Sequence, residues 1–207
     1  NHSLATAKAH WEKIKGTLPV REQEGHPARF ALVELNNVYD EGLYFEPIHR
    51  VLFNTDPQKL LEKMVKYYEN CKCEVAYHLL DEQARDGGSG IGIIPNEDTH
   101  VLPFIFQDKA GVIIVKHPKH PLAAGTLQSC LDYLGQKLKD MKIDYVHGAD
   151  VVEELAQRPG NIGFILPPMD KHDLFKTVVQ EGVLPQKTFS LGEADEKRFY
   201  MESRKIV

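Results

Sequence analysis

Two apolar runs joined by a short turn place the tightest constraint on this chain. Val101–Phe106 and Val112–Lys116 flank Asp108-Lys109-Ala110-Gly111. A link that short joins antiparallel neighbours only, because a parallel pair needs a crossover of a dozen residues or more. Helical patterns stand on both sides. Asp56-Pro57 reads as a helix start, with the carboxylate capping amides and proline in the first turn. Leu60, Leu61, Met64, Val65 and Tyr68 follow at helical spacing. Leu127, Leu131, Leu134 and Leu138 recur at i, i+4, i+7 and i+11 within Thr126–Met141.

Other elements follow from pattern and punctuation. A first helix spans residues 3–15 with Ser3 as its cap, and Gly16 and Pro19 end it. Phe30–Val38 reads as a strand buried on both faces, paired as a hairpin with Leu43–Phe53, where Pro47 marks an edge or a bulge. Strands are expected at Glu74–Leu80, Ile91–Ile94, Ile143–His147, Ile162–Leu166 and Lys197–Ile206, and helices at Asp150–Gln157 and from Asp170 to Val179. Strands thus come both as hairpins and between helices. The expectation is one α+β domain over residues 1–207, with a mixed, largely antiparallel sheet and flanking helices.

Composition narrows the function classes. The 207 residues carry a net charge of −5, which lacks the basic excess of a duplex nucleic-acid binder. No apolar run approaches the roughly 20 residues that span a bilayer, so no membrane partner is expected. Three cysteines, Cys71, Cys73 and Cys130, fit a reducing compartment, and the expected location is cytoplasmic. Cys71-x-Cys73 lacks a second ligand pair at zinc spacing. His117 and His120 lack an acid or cysteine partner, so no metal ligands are named.

Four segments carry candidate chemistry. Asp86-Gly87-Gly88-Ser89-Gly90 lacks the Lys-Ser/Thr ending of a phosphate loop and reads as a surface connection. In Glu46-Pro47-Ile48-His49-Arg50, His49 reads as a packed residue, while Arg50 offers a fork for phosphate or carboxylate. Tyr145-Val146-His147-Gly148-Ala149-Asp150 ends a strand and opens a helix. His147 is the best single candidate for acid–base work, and Asp150 reads as the helix cap. In Lys187-Thr188-Phe189-Ser190, the ammonium and hydroxyls are suited to phosphate, or else Lys187 is an exposed side chain on a strand.

Several of these segments together resemble a bacterial family of unknown function, domain 1015. The resemblance lies in Leu35-Asn36-Asn37-Val38-Tyr39-Asp40-Glu41-Gly42-Leu43 with Glu46-Pro47-Ile48-His49-Arg50, and in Asp144-Tyr145-Val146-His147-Gly148. It continues in Gly163-Phe164-Ile165-Leu166-Pro167-Pro168-Met169 and in Gly182-Val183-Leu184-Pro185-Gln186-Lys187-Thr188-Phe189. The opening Asn1-His2-Ser3-Leu4 is similar to the end of that family's Asp-Gly-His-His-Arg-like motif, without the Asp-Gly and with Ser3 where many members carry arginine. The resemblance implies the carboxy-terminal part of a longer protein. The opening motif is also similar to a turn in the ParB-like superfamily, which includes a free-serine kinase and holds phosphate at a helix amino terminus. That second resemblance implies nucleotide or pyrophosphate binding with a divalent cation, and kinase-like transfer to a small-molecule ligand. Asn1, His2, Arg50, Lys187 and Thr188 would then bind phosphate, and His147 would be catalytic. The alternative is a ligand-binding or regulatory module without turnover, and the sequence leaves a homo-oligomer open.

Overall fold

A computed structural model describes residues 2–31, 33, 35–80, 95, 96, 98–182, 184, 185 and 187–191. The glycine-rich connection at 86–90 and the strands expected at 91–94 and 197–206 lie outside the described residues. The element order is α1 (His2–Lys15), α2 (Val20–Gln23), a 3₁₀ turn at Pro27–Arg29, β1 (Phe45–Pro47), β2 (His49–Phe53), α3 (Pro57–Asn70) and β3 (Glu74–Leu80). There follow β4 (Thr99–Phe106), β5 (Lys109–Lys116), α4 (Ala123–Lys137), β6 (Lys142–Val146), α5 (Ala149–Ala156), β7 (Ile162–Phe164), α6 (Asp173–Glu181) and β8 (Phe189–Leu191). The fold is α+β. Six strands form one sheet in the order β3-β5-β4-β7-β2-β6, β1 and β8 form a second, and the pairs are antiparallel. Among the described residues no helix is long and apolar enough to cross a membrane.

The hairpin forms as the turn chemistry demands. Phe106 pairs with Lys109, so the loop shortens to Gln107-Asp108, and Gln107 takes a left-handed φ of 49°. The helix starting at Asp56-Pro57 also stands: the Asp56 side chain accepts from the Lys59 amide at 3.2 Å, and this bond chiefly holds its carboxyl below the usual range. The leucine stripe of α4 and the apolar face of α3 cover one side of the sheet. There Leu61, Met64, Leu127 and Leu131 meet Leu52, Leu102, Ile113 and Phe164. Burying each such side chain is worth roughly 1.5–3 kcal/mol. On the opposite side α5 packs Val152 against Val51 and Val146.

That second contact depends on Gly163. A Cβ there would lie 2.3 Å from Val152 Cγ1 and 3.4 Å from Ala156 Cβ. Gly163→Ala is therefore expected to cost about 1–3 kcal/mol, the usual range for overpacking. Urea denaturation measures it, and adding Val152→Ala should recover part of the loss. An unchanged midpoint in the single variant would refute the close approach.

Three expectations need correction. Phe30–Val38 is not a buried strand: Phe30, Val33 and Leu35 are 56%, 59% and 97% exposed, and no described residue of the segment joins a sheet. Its composition is that of a buried strand, but apolar side chains specify a strand only where a neighbour completes the ladder. The expected hairpin is therefore not formed among the described residues. The run from Leu43 splits at Ile48 instead, because proline cannot donate to a ladder. β1 pairs with β8, while β2 lies between β6 and β7. Three caps also move. α1 begins at His2, ahead of Ser3; α5 is capped by Gly148 at φ 82° rather than by Asp150; and Asp170 accepts from the His172 amide at 2.9 Å, one turn before α6.

Candidate functional site

The break at Ile48 decides where Arg50 goes. Backbone carbonyls at a strand break and at the left-handed Lys187 (φ 56°) lack ladder partners and need a donor. Arginine carries five N–H groups in a fixed fork and suits that task. Arg50 is wholly buried. Its Nη1 donates to the Ile48 carbonyl at 2.5 Å and more weakly to that of His49 at 3.4 Å, and its Nη2 donates to the Lys187 carbonyl at 2.9 Å. Its Nε donates to Gln128 Oε1 at 3.0 Å, and its guanidinium lies 4.6 Å from the centre of the Tyr145 ring. Burial lowers its pKa to about 10, against the opposing pull of Tyr145 and Asp132, so it remains a cation at neutral pH.

This bond fixes the amide of Gln128. An N–H can only donate, so the oxygen must face Arg50 and the nitrogen must point away. That nitrogen donates to Asp132 Oδ1 at 2.8 Å and to the Tyr145 hydroxyl at 3.2 Å. Beside them Ser129 donates to the Gly125 carbonyl at 2.7 Å, and His120 Nε2 lies 2.6 Å from the same hydroxyl. The arrangement that satisfies both contacts has the imidazole N–H donating to Ser129. Gly125, Gln128, Ser129, Asp132, Tyr145 and Pro185 line a cleft of about 430 Å³, which is small-ligand size.

The residues singled out from sequence fall in two groups. Arg50 and Lys187 meet through the Lys187 carbonyl, and Thr188 Oγ1 donates to the Pro185 carbonyl at 2.7 Å beside the cleft wall. The Lys187 side chain is exposed. His147 is exposed as well and follows Val146, the register partner of His49. His49 is a packed residue. Its Nδ1 accepts from the Leu166 amide at 3.1 Å, and burial, then Arg50, then His147 lower its pKa. Asn1 and the side chain of His2 lie outside the described residues, and α1 meets the Pro27–Arg29 turn, with Trp11 stacked on His26 at 5.9 Å.

Sequence reasoning missed Gln128, Ser129, Asp132 and Tyr145 as a set. The signal was present as a polar flank, Gln128, Ser129 and Asp132, set against the leucine stripe of α4.

Two other places hold less. Cys71, Cys73 and Cys130 are free thiols, and burial pushes Cys73 and Cys130 up. Among the described residues no group of three or more His, Cys, Asp or Glu could hold a metal ion. A second recess of about 440 Å³ carries Lys59, Lys63, Lys137 and Lys139 against Asp56 and Asp140. It lies at the Phe53 end of β2, a strand of roughly 15 Å, and so is separate from the cleft at the Arg50 end.

Residues 1–134 match the family described as protein of unknown function (DUF1015). The chain belongs to this family. No curated protein matches it. Among solved structures, this DUF1015 member is similar to a conserved hypothetical protein from Pyrococcus furiosus, with 17% identity and a TM-score of 0.53 over 78% of this chain and 61% of that one. The chain thus spans less than two thirds of that protein. It is also similar to a variant of a free serine kinase in complex with AMP, with 13% identity, a TM-score of 0.54, and coverage of 91% and 80%. The complex of that variant with ADP gives 12%, 0.55, 90% and 79%. At such identities the likeness is one of fold.

Proposed function

We propose that the cleft between α4, β6 and Pro185 holds a small hydroxylated metabolite, and that the full-length protein transfers a phosphoryl group to it. The observation that carries this reading is the cleft itself: a small-ligand cavity whose polar wall is set by a buried arginine, within a fold shared with a kinase solved with AMP and ADP. The donor in this reading is a nucleotide or pyrophosphate with a divalent cation. The exposed side chains of His147 and Lys187 are the groups free to meet its phosphates, and His2, at the amino end of α1, would favour the same charge through the helix dipole. Phosphoryl transfer rests mainly on positioning and charge stabilisation, so such a set suffices without a covalent intermediate.

The test is phosphorus NMR of the full-length protein with ATP, ADP or pyrophosphate, magnesium and a pool of small hydroxylated metabolites. The expected result is a new phosphomonoester signal that falls by about 100-fold in rate with His147→Ala, the scale of a lost general acid–base group. Ligand binding without any such signal would favour the alternative, a regulatory module built on the same cleft.

A further inference from the structure

We propose that the cleft selects a neutral or cationic hydrogen-bond donor, the end of an amino alcohol or polyol, and rejects anions, with Asp132 as its anchor and Gln128 as a positioning residue. The inference rests on the reading of this cleft as the acceptor's site and names the class of acceptor it takes.

The argument starts from what the cleft cannot offer. Arg50 is the cation nearest its wall, but it is wholly buried and committed to carbonyls of Ile48, His49 and Lys187 and to Gln128. No ligand atom can reach it without breaking those bonds. None of the lining residues is basic. What remains is fixed by Gln128. Its nitrogen faces Asp132 Oδ1 and the Tyr145 oxygen, so both of those atoms already accept. Asp132 keeps its second oxygen and its negative charge at an exposed position. The Tyr145 oxygen accepts from Gln128, which leaves its own hydrogen free to donate. The Ser129 hydrogen is taken by the Gly125 carbonyl, and its oxygen lies against His120 Nε2.

The wall therefore presents one charged acceptor beside one neutral donor. A hydroxyl or ammonium group meets Asp132, and a neighbouring oxygen meets Tyr145. A carboxylate or phosphate placed against Asp132 would meet a like charge, and no lining residue is basic to offset it, which disfavours it.

The experiment is a nitrogen–proton correlation titration of the 207-residue chain with three probes of similar size: ethanolamine, glycerol and glycolate. Ethanolamine and glycerol should shift the Gln128 side-chain amide and the backbone of Asp132 and Tyr145, and glycolate should not. Asp132→Asn should weaken ethanolamine about tenfold, the scale of one charge-assisted hydrogen bond, and glycerol much less. Added salt should weaken ethanolamine alone. Asp132→Glu should restore part of its affinity, and Tyr145→Phe should weaken glycerol. Glycolate binding as well as ethanolamine, ethanolamine affinity surviving Asp132→Asn, or no probe binding at all would each overturn the proposal. If a variant does not fold, the wild-type contrast between ethanolamine and glycolate decides alone. Probe binding as expected with no phosphoryl transfer by the full-length protein would remove the phosphotransferase reading and leave this one standing.

Discussion

Replacing Arg50 with lysine lowers the unfolding free energy by about 3 kcal/mol, enough to move a urea midpoint by roughly 1–2 M. The charge survives the substitution but the fork does not. An ammonium has three donors on a flexible stem and cannot serve the Ile48 and Lys187 carbonyls and Gln128 Oε1 together in this geometry. A buried acceptor left unpaired costs about 1–3 kcal/mol, and the relocated cation lacks full solvation as well. Arg50→Met, which keeps most of the volume, should be comparably damaging because it strands the same acceptors. Urea unfolding followed by circular dichroism measures both. If Arg50 served only as a phosphate ligand, either substitution would leave stability unchanged or improve it. A change under 1 kcal/mol for Arg50→Lys would therefore undo the structural account and restore the ligand reading.

The second large effect is a loss of stability in mild acid. His49 and His100 are buried, and burial is the first cause that lowers each pKa below the ordinary 6.5. Nδ1 of His49 accepts from the Leu166 amide. His100 Nδ1 lies 2.9 Å from Thr126 Oγ1, and its burial outweighs the opposing effect of the Pro121 carbonyl. Charging His49 puts a proton on the nitrogen that accepts the Leu166 amide, and charging His100 sets a cation in a desolvated position. Below pH 6.5 the unfolded chain binds protons that the folded chain refuses. The stabilisation from neutral histidine is thus complete above about 6.5 and lost as pH falls from there through the folded values. The slope approaches about 1.4 kcal/mol per pH unit for each histidine. Thermal melts between pH 7.5 and 5 should show Tm falling before the carboxylates titrate, and the double variant His49→Gln, His100→Gln should flatten that fall. A flat wild-type profile would show that the two rings charge without cost.

What the sequence made legible was whatever local chemistry specifies. The cap at Asp56, the stripe of Leu127, Leu131 and Leu134, and the strands around Gln107 rest on contacts within a few residues, and each stands in the structure. Phe30–Val38 failed for the opposite reason, since its fate depends on neighbours that composition does not name. Pro47 was read as an edge or bulge, and it in fact marks where one run of chain leaves one sheet for another. The same division holds in the cleft. Arg50 and Lys187 stand out as isolated basic residues. That a backbone carbonyl rather than a side chain joins them is a fact of three-dimensional closure. Gln128 and Asp132, four apart on a helix, form no motif of their own, and only the buried arginine gives the amide a direction.

The bond from Arg50 to the Lys187 carbonyl joins positions 137 apart in the chain. It therefore carries a consequence in time as well as in space. The hairpin of β4 and β5 can zip from its own turn, whereas the Pro185 wall must wait for a loop of that length to close against an already organised sheet. During synthesis the scaffold can be standing while its recess is still open on one side. Competence to hold a small molecule would then be acquired only after the sheet that carries it already stands.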